Sequence, residues 1–279
     1  VIPVMFQKLN RWLEESFTSE HFTFRQLAGM LVTLIMDSFS IMIIGVLSSS
    51  MVSSVGEAAM AAVNMVGTIN VLVSLTFIAL GTGGSIVVAR AKGSHNMDTL
   101  RSAICHTVSI SALVSLAVSA LLFMVGEPLV RVLYPTVEPL LTEYSVRYLR
   151  LVCLSLPPYA VFNAIFAAFR SVGDTKSSLF LTIIINGAHL IFSFVFINGM
   201  QLGVDGAGWS LIVARLLGMV VALVWMFWIH NGFHVQLRKL FAFFKAMVSE
   251  IIHLGVPIAY ESLLLQGGML LVQVYLARL

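Results

Sequence analysis

Two carboxylic acids stand alone in long apolar segments of the chain. Asp37 is the one charged residue of the apolar run 26–56, and Glu261 is the one charged residue of the run 251–277. In both places a bulky residue precedes the acid and a serine follows it. A carboxylate near the middle of a membrane helix costs roughly 2.5–3.5 kcal/mol to insert, so an acid kept there is expected to have a function.

An intramembrane acid can take up H⁺, bind Na⁺ or attract a cationic substrate. We therefore predict that Asp37 and Glu261 are coupling-ion sites, with Na⁺ as the only metal expected at either acid. A structural alternative exists for Asp37, in which a neutral carboxyl group is hydrogen-bonded to Ser38, Ser40 or a neighbouring helix. No other cofactor is expected.

The composition indicates an all-α integral membrane protein. Hydrophobic residues make up 59% of the 279 residues and charged residues only 10%, whereas soluble domains carry about 25% charged residues. The net charge of +3 arises from basic residues in short connections, which report membrane topology and not binding to nucleic acid. Cys105 and Cys153 lie in apolar runs and are predicted to be small buried hydrophobic residues.

The charge-poor stretches predict seven membrane helices, each with the ~20 apolar residues that a span requires. They cover residues 29–52, 59–88, 102–125, 146–169, 178–199, 207–230 and 253–277. Residues 126–143 are expected to form an external loop that contains a short helix. Eleven of the 16 basic residues fall on the side of the N-terminus, which predicts a cytoplasmic N-terminus in the plasma membrane.

Span seven repeats the pattern of span one. Both follow a basic, aromatic-containing stretch, and both enter from the same side, as in transporters with parallel repeats. The sequence is thus divided into an interfacial segment (1–28), a six-helix bundle (29–230), a cytoplasmic connection (231–250) and the first helix of a second bundle (251–279). The chain starts without methionine and stops inside an apolar segment, so we expect it to be part of a longer protein.

Four motifs occur along most of the chain in a fixed order. They are Gly81 to Ser85 with 89–93, Phe169 to Lys176, Gly203 to Gly208 with Arg215, and Gly255 to Pro257 with Glu261. In this order they resemble the multidrug and toxic compound extrusion (MATE) transporters. The resemblance implies twelve helices in two bundles, a monomer in membrane lipid, and export of organic cations or amphiphiles against inward Na⁺ or H⁺.

Span five carries a polar face. Asn186, His189 and Ser193 are spaced by three and four residues, so they share one side of a helix. By the resemblance, this side belongs to the cavity of the family's N-terminal bundle. Some members have an acid where Ser193 stands, and its absence here puts a carboxylate-based proton site in doubt. His189 is a candidate substitute because histidine titrates near neutral pH; a satisfied interior histidine is the alternative.

Further polar residues within the spans are candidates for the substrate cavity. They are Asn64, Asn70, Asn163, Gln266 and Arg215. Interhelical hydrogen bonds are the common alternative for such amides. For Arg215, packing, an ion pair or snorkelling is the favoured interpretation. The glycines between Gly81 and Ser85 predict close helix packing, since a phosphate loop would need a lysine that is absent here.

Together these features predict a secondary active multidrug efflux transporter that works by alternating access, and not an enzyme. A lipid-linked oligosaccharide flippase of the same superfamily is the first alternative. Its cavity would need several cations, but Arg215 is the one basic residue deep in a span before Arg278. An integral membrane enzyme would need clustered His, Asp or Cys, and a channel would need a filter pattern; neither is found.

Overall fold

Seven long helices form the described part of the protein. The computed structural model describes residues 24–133, 138–229 and 245–276, without the side chains of 24–28, 30, 34, 37, 41, 229 and 269–276. The helices are α1 (Phe24–Ser53), α2 (Glu57–Gly93), α3 (Met97–Leu133), α4 (Pro139–Ser171), α5 (Thr175–Ser193), α6 (Gly203–Val224) and α7 (Lys245–Leu276). The described ranges contain no strand. Residues 1–23 of the predicted interfacial segment (1–28) lie outside the described ranges, and so do residues 231–244 of the predicted connection between the bundles (231–250).

All seven helices are long and apolar enough to cross a membrane, so the predicted all-α membrane fold is confirmed. Several extend well beyond the predicted spans. Helix α2 has 37 residues and is therefore about 55 Å long, compared with ~30 Å for the hydrocarbon core. Large apolar side chains such as Met124, Ile191 and Leu264 are exposed on the helix surfaces, where a membrane protein contacts lipid.

The prediction of a loop with a separate short helix between spans three and four is wrong for the described residues. Helix α3 continues to Leu133 with Pro128 inside it, and α4 begins at Pro139. Pro139 fits there because the first turn of a helix has no partner for its backbone N–H. Residues 134–137 lie outside the described part of the chain.

Helices α5 and α6 each end in a π-helical segment. Residues Phe194–Gly199 continue α5, and Trp225–Ile229 continue α6. At the opposite end of α5, Asp174 caps the helix by accepting a hydrogen bond from the Ser177 amide at 3.1 Å. The indole of Trp225 donates to Ser177 Oγ at 2.9 Å, so the start of α5 is tied to the end of α6.

Two apolar cores hold the bundle together at its two ends. One contains Val88, Ile104 and Phe169 near the end of α2 that carries Arg90. The other contains Phe77 and Leu149 towards the opposite end. The two cores thus occupy different levels along the helix axes. The polar cavity described below lies at the level of the core that contains Phe77 and Leu149.

Helix α7 packs directly on α2 through glycine. A Cβ atom on Gly83 would lie 2.7 Å from the backbone nitrogen of Gly255 and 2.8 Å from the carbonyl oxygen of Ile251. The two backbones therefore touch without an intervening side chain. Nearer the helix ends, Arg90 on α2 and Glu250 on α7 form an ion pair at 2.5 Å. The helix assigned to a second bundle is thus packed against the first.

Candidate functional site

A cavity of about 570 Å³ lies between the helices of the bundle. Residues of α1, α2, α4, α5, α6 and α7 contribute to its wall, which mixes aliphatic side chains with uncharged polar ones. The polar lining consists of Ser48, Ser49, Asn64, Thr68, Asn70, Tyr148, Asn186, His189 and Gln266. No Asp, Glu, Lys or Arg belongs to this lining as far as the described residues show. Its size suits a small organic molecule.

Five of the residues predicted from the sequence meet at this cavity. Asn64 and Asn70 come from α2, Asn186 and His189 from successive turns of α5, and Gln266 from α7. Four of them are amides, which offer both hydrogen-bond donors and acceptors, and neutral imidazole offers one of each. The wall can therefore bind both hydrogen-bond donors and hydrogen-bond acceptors, although its described lining carries no fixed charge.

Ser193 and Asn163 take part in helix contacts and do not line the cavity. Ser193 is buried, and its Oγ donates to Ser210 Oγ on α6 at 3.0 Å. Ser210 in turn donates to the carbonyl oxygen of Ala207 at 2.8 Å. The side-chain amide of Asn163 donates to the Tyr159 carbonyl one turn earlier, at 3.1 Å. Both residues thus satisfy backbone or side-chain groups within the bundle.

Of the two acids, only Glu261 has a described side chain. Glu261 lies on α7, exposed and away from the cavity lining. Asp37 lies within α1, but its side chain is outside the described part. Among the described residues, no group of three or more His, Cys, Asp or Glu side chains is arranged to hold a metal ion. A Na⁺ site at either acid stays a prediction.

Arg215 is buried directly behind the cavity wall. One guanidinium nitrogen donates to Ser155 Oγ at 2.7 Å, and the other terminal nitrogen donates to Asn70 Oδ1 at 3.2 Å. The guanidinium carbon also lies 4.2 Å from the ring centroid of Tyr159, a cation–π contact. Arg215 itself is not part of the lining, but it contacts the cavity through Asn70.

The sequence interpretation missed several lining residues. Tyr148 lies on α4 between Arg147 and Arg150, near the start of the predicted span 146–169, and these charged neighbours gave no sign that it lines a cavity. Ser48, Ser49 and Thr68 are small hydroxyl residues of a kind that occurs throughout the helices, so nothing in their spacing marked them. The periodicity of α1 around Ser48 would have been the only clue, because those serines follow Asp37 by about three turns.

The family model MatE matches residues 33–195 of the chain. Among curated proteins, an "Uncharacterized transporter YisQ" of Bacillus subtilis is 26% identical over 85% of this chain and 52% of its own length. A "Probable multidrug resistance protein NorM" of Thermotoga maritima is 23% identical over 82% of the chain and 50% of its own length. The chain spans about half the length of these relatives.

Solved structures show the same fold. A multidrug resistance MATE family transporter in an outward-facing conformation superimposes with a TM-score of 0.81 at 17% identity, over 90% of this chain and 54% of that one. A MOP superfamily transporter from Pyrococcus furiosus gives the same TM-score, identity and coverage. The resemblance noted from the sequence motifs is confirmed. Because the family model matches more than half of the 279 residues of the chain, the chain belongs to the MatE family.

Proposed function

We propose that this chain forms the first six helices and the seventh helix of a secondary active multidrug efflux transporter. The whole protein exports organic cations or amphiphiles by alternating access, in antiport with Na⁺ or H⁺. The observation that carries this proposal is the cavity of about 570 Å³ where uncharged polar side chains of α2, α5 and α7 converge within a membrane helix bundle. One relative of the chain is named a "Probable multidrug resistance protein NorM".

The lining of the cavity favours amphiphiles over lipid-linked pyrophosphates. A pyrophosphate headgroup needs several cationic donors, whereas the described lining holds neither Lys nor Arg. Aliphatic residues such as Ile44, Val63 and Leu211 offer apolar contact beside the amides. A wall of this kind accepts molecules of varied shape with one or two polar groups.

The ion coupling is assigned to Asp37, Glu261 and His189. A carboxylate inside the membrane is costly, and uptake of H⁺ or Na⁺ removes or balances that charge. Such uptake drives transport only if the ion binds the inward-facing and outward-facing states with different affinity. His189 lines the cavity, so its protonation would also repel a cationic substrate from the same space.

The proposal places the N-terminus in the cytoplasm and the protein in the plasma membrane. The basic ends of α2 and α4 lie together, because the ammonium of Lys92 donates to the carbonyl oxygen of Val172. This end should be cytoplasmic by the distribution of basic residues. A Ser94→Cys variant in inside-out vesicles should react with an impermeant maleimide, and reaction from the opposite side alone would reverse the orientation.

The test of function uses the full-length protein in proteoliposomes. Efflux of a fluorescent cationic dye is followed under an imposed Na⁺ or H⁺ gradient for the wild type, Asp37→Asn, Glu261→Gln and His189→Gln. Glu57→Gln is the matched control, because Glu57 is an exposed acid in the first turn of α2. One gradient should drive dye movement, and at least one of the first three variants should lose this dependence.

A second readout separates coupling from folding. Exchange of dye across the membrane without any gradient should persist in a variant that has lost only its ion site. If neither gradient moves dye in the wild type, or if all three variants behave like Glu57→Gln, antiport through these residues is wrong.

A further inference from the structure

Arg215 is a buried cation whose described partners are all neutral. It is only 6% exposed, and it contacts the Ser155 hydroxyl, the Asn70 amide and the Tyr159 ring. A charged group is expensive to bury in a membrane protein unless dipoles or counter-charges compensate it. The three neutral partners hold the guanidinium from α2 and α4, while its own backbone belongs to α6.

The contact with Arg215 fixes the orientation of the Asn70 side chain. A guanidinium has only hydrogen-bond donors, so the atom that faces it must be the amide oxygen. The remaining group of Asn70 is its NH₂, and this group has no hydrogen-bond partner among the described residues. Since Asn70 lines the cavity, the donor is available on the cavity side.

We propose that Asn70 binds a hydrogen-bond acceptor of the transported molecule, and that Arg215 is the positioning residue that holds Asn70 as a donor. The acceptor is a carbonyl or carboxylate oxygen on a cationic amphiphile. This inference rests on the proposed function and names the substrate class more closely.

Arg215 can hold the Asn70 amide in this orientation because its guanidinium group has two terminal nitrogens that donate at the same time. Two different nitrogens reach Ser155 and Asn70 at the same time, at 2.7 and 3.2 Å. The guanidinium carbon also lies over the ring of Tyr159, 4.2 Å from its centroid. A lysine ammonium is a compact charge without this planar fork. Arg215→Lys would therefore keep a positive charge while it loses control over the Asn70 amide.

The experiment compares three phosphonium probes that differ in the para substituent of the benzyl ring. They are benzyltriphenylphosphonium, its 4-methoxycarbonyl derivative, and its 4-carboxy derivative, which is zwitterionic at neutral pH. Their dissociation constants are measured on the full-length protein in lipid nanodiscs, by competition with a fluorescent cationic dye. The wild type should bind the carboxy probe at least about tenfold more tightly than the unsubstituted probe, as expected for one hydrogen bond to a charged acceptor. The ester should fall between them.

Asn70→Leu and Arg215→Lys should both reduce this affinity ratio to near one. Asn64→Leu is the matched control, because Asn64 is the other asparagine of α2 on the cavity wall and no contact with Arg215 is seen for it. This variant should keep the ratio even if it weakens binding of all three probes. A structural role for Arg215 would change all affinities together and leave the ratio unaltered.

Equal affinities of the three probes in the wild type would overturn the inference, and so would an unchanged ratio in Asn70→Leu. An unchanged ratio in Arg215→Lys would overturn the positioning role. If no probe binds and no gradient drives dye movement, the proposed function fails together with the inference. Binding of the unsubstituted probe with the same affinity as the carboxy probe leaves the transporter proposal intact and rejects only the donor role of Asn70.

Discussion

Replacement of Gly83 by alanine tests the backbone contact between α2 and α7. The added Cβ would lie 2.7 Å from the nitrogen of Gly255, 2.8 Å from its Cα and 2.8 Å from the carbonyl oxygen of Ile251. Ordinary van der Waals contact begins at 3.4 Å, so the helices must separate by about 0.7 Å. All three obstructing atoms belong to the backbone of a helix, and none can rotate away as a side chain would.

The expected loss follows from two opposing effects. Overpacking of a close contact costs about 1–3 kcal/mol. The change from glycine to alanine in a helix returns roughly 0.5–1 kcal/mol. Gly83→Ala should therefore destabilise the protein by up to about 2.5 kcal/mol. The matched control is Gly81→Ala in the same helix, where the new Cβ meets the Asn163 carbonyl oxygen at 3.4 Å and Ala167 Cβ at 3.5 Å. This control should gain stability or stay neutral.

The assay is thermal unfolding of the purified full-length variants in one detergent. A loss of 1 kcal/mol lowers Tm by about 2–4 °C in domains of 150–250 residues. Gly83→Ala should unfold below the wild type and Gly81→Ala at or above it. If Gly83→Ala is as stable as Gly81→Ala, then α7 does not rest on α2 through these glycines in the whole protein, and the contact must be rejected.

Three further substitutions test local contacts. Asp174→Ala removes the cap of α5 and should lower the free energy of unfolding by about 0.5–2 kcal/mol. Asp174→Asn should keep most of this stability, because asparagine can also cap a helix. Equal Tm values for the two variants would contradict the capping role of Asp174. Arg90→Gln breaks an exposed ion pair with Glu250 and should cost at most about 1 kcal/mol; a larger loss that persists in high salt would contradict this estimate. Ser193→Ala removes the hydrogen bond to Ser210 and should lower the free energy of unfolding by about 0.5–1.5 kcal/mol. Dye transport should continue at the wild-type rate, because Ser193 does not line the cavity. A transport defect without loss of stability would instead indicate that Ser193 takes part in binding.

The existence of all seven helices could be predicted from the sequence, but their ends could not. Apolar runs without charge mark the part of a helix that lies in lipid. The backbone hydrogen bonds of a helix can continue beyond the lipid. Helix α2 continues through Arg90 and Lys92 to Gly93, and α3 continues through Arg131 to Leu133. Arginine and lysine are good helix formers in water, so their appearance marks the interface and not the helix end.

Helical spacing anticipates only part of the cavity lining. It puts Asn186 and His189 on one face of α5, and both side chains line the cavity. The same spacing put Ser193 on that face, but α6 approaches there and Ser210 takes the hydroxyl. Periodicity defines a face of a helix, whereas the neighbouring helix decides which turns of that face stay open. Asn70 and Arg215 were seen as separate polar residues, because their contact joins positions 145 residues apart.

Helix α2 connects the cavity to the packing of the whole bundle. Its first half carries Asn64 and Asn70 on the cavity wall. In its second half, a Cβ on Gly84 would clash with Thr107 of α3 at 2.2 Å, while Gly81 faces α4 and Gly83 faces α7. Three glycines within four positions thus point to three different helices, which explains why the sequence needs them without any phosphate site. These close contacts with three helices oppose a sliding movement of α2 alone. We therefore expect a change in cavity shape to involve the helices that complete the wall opposite Asn64 and Asn70.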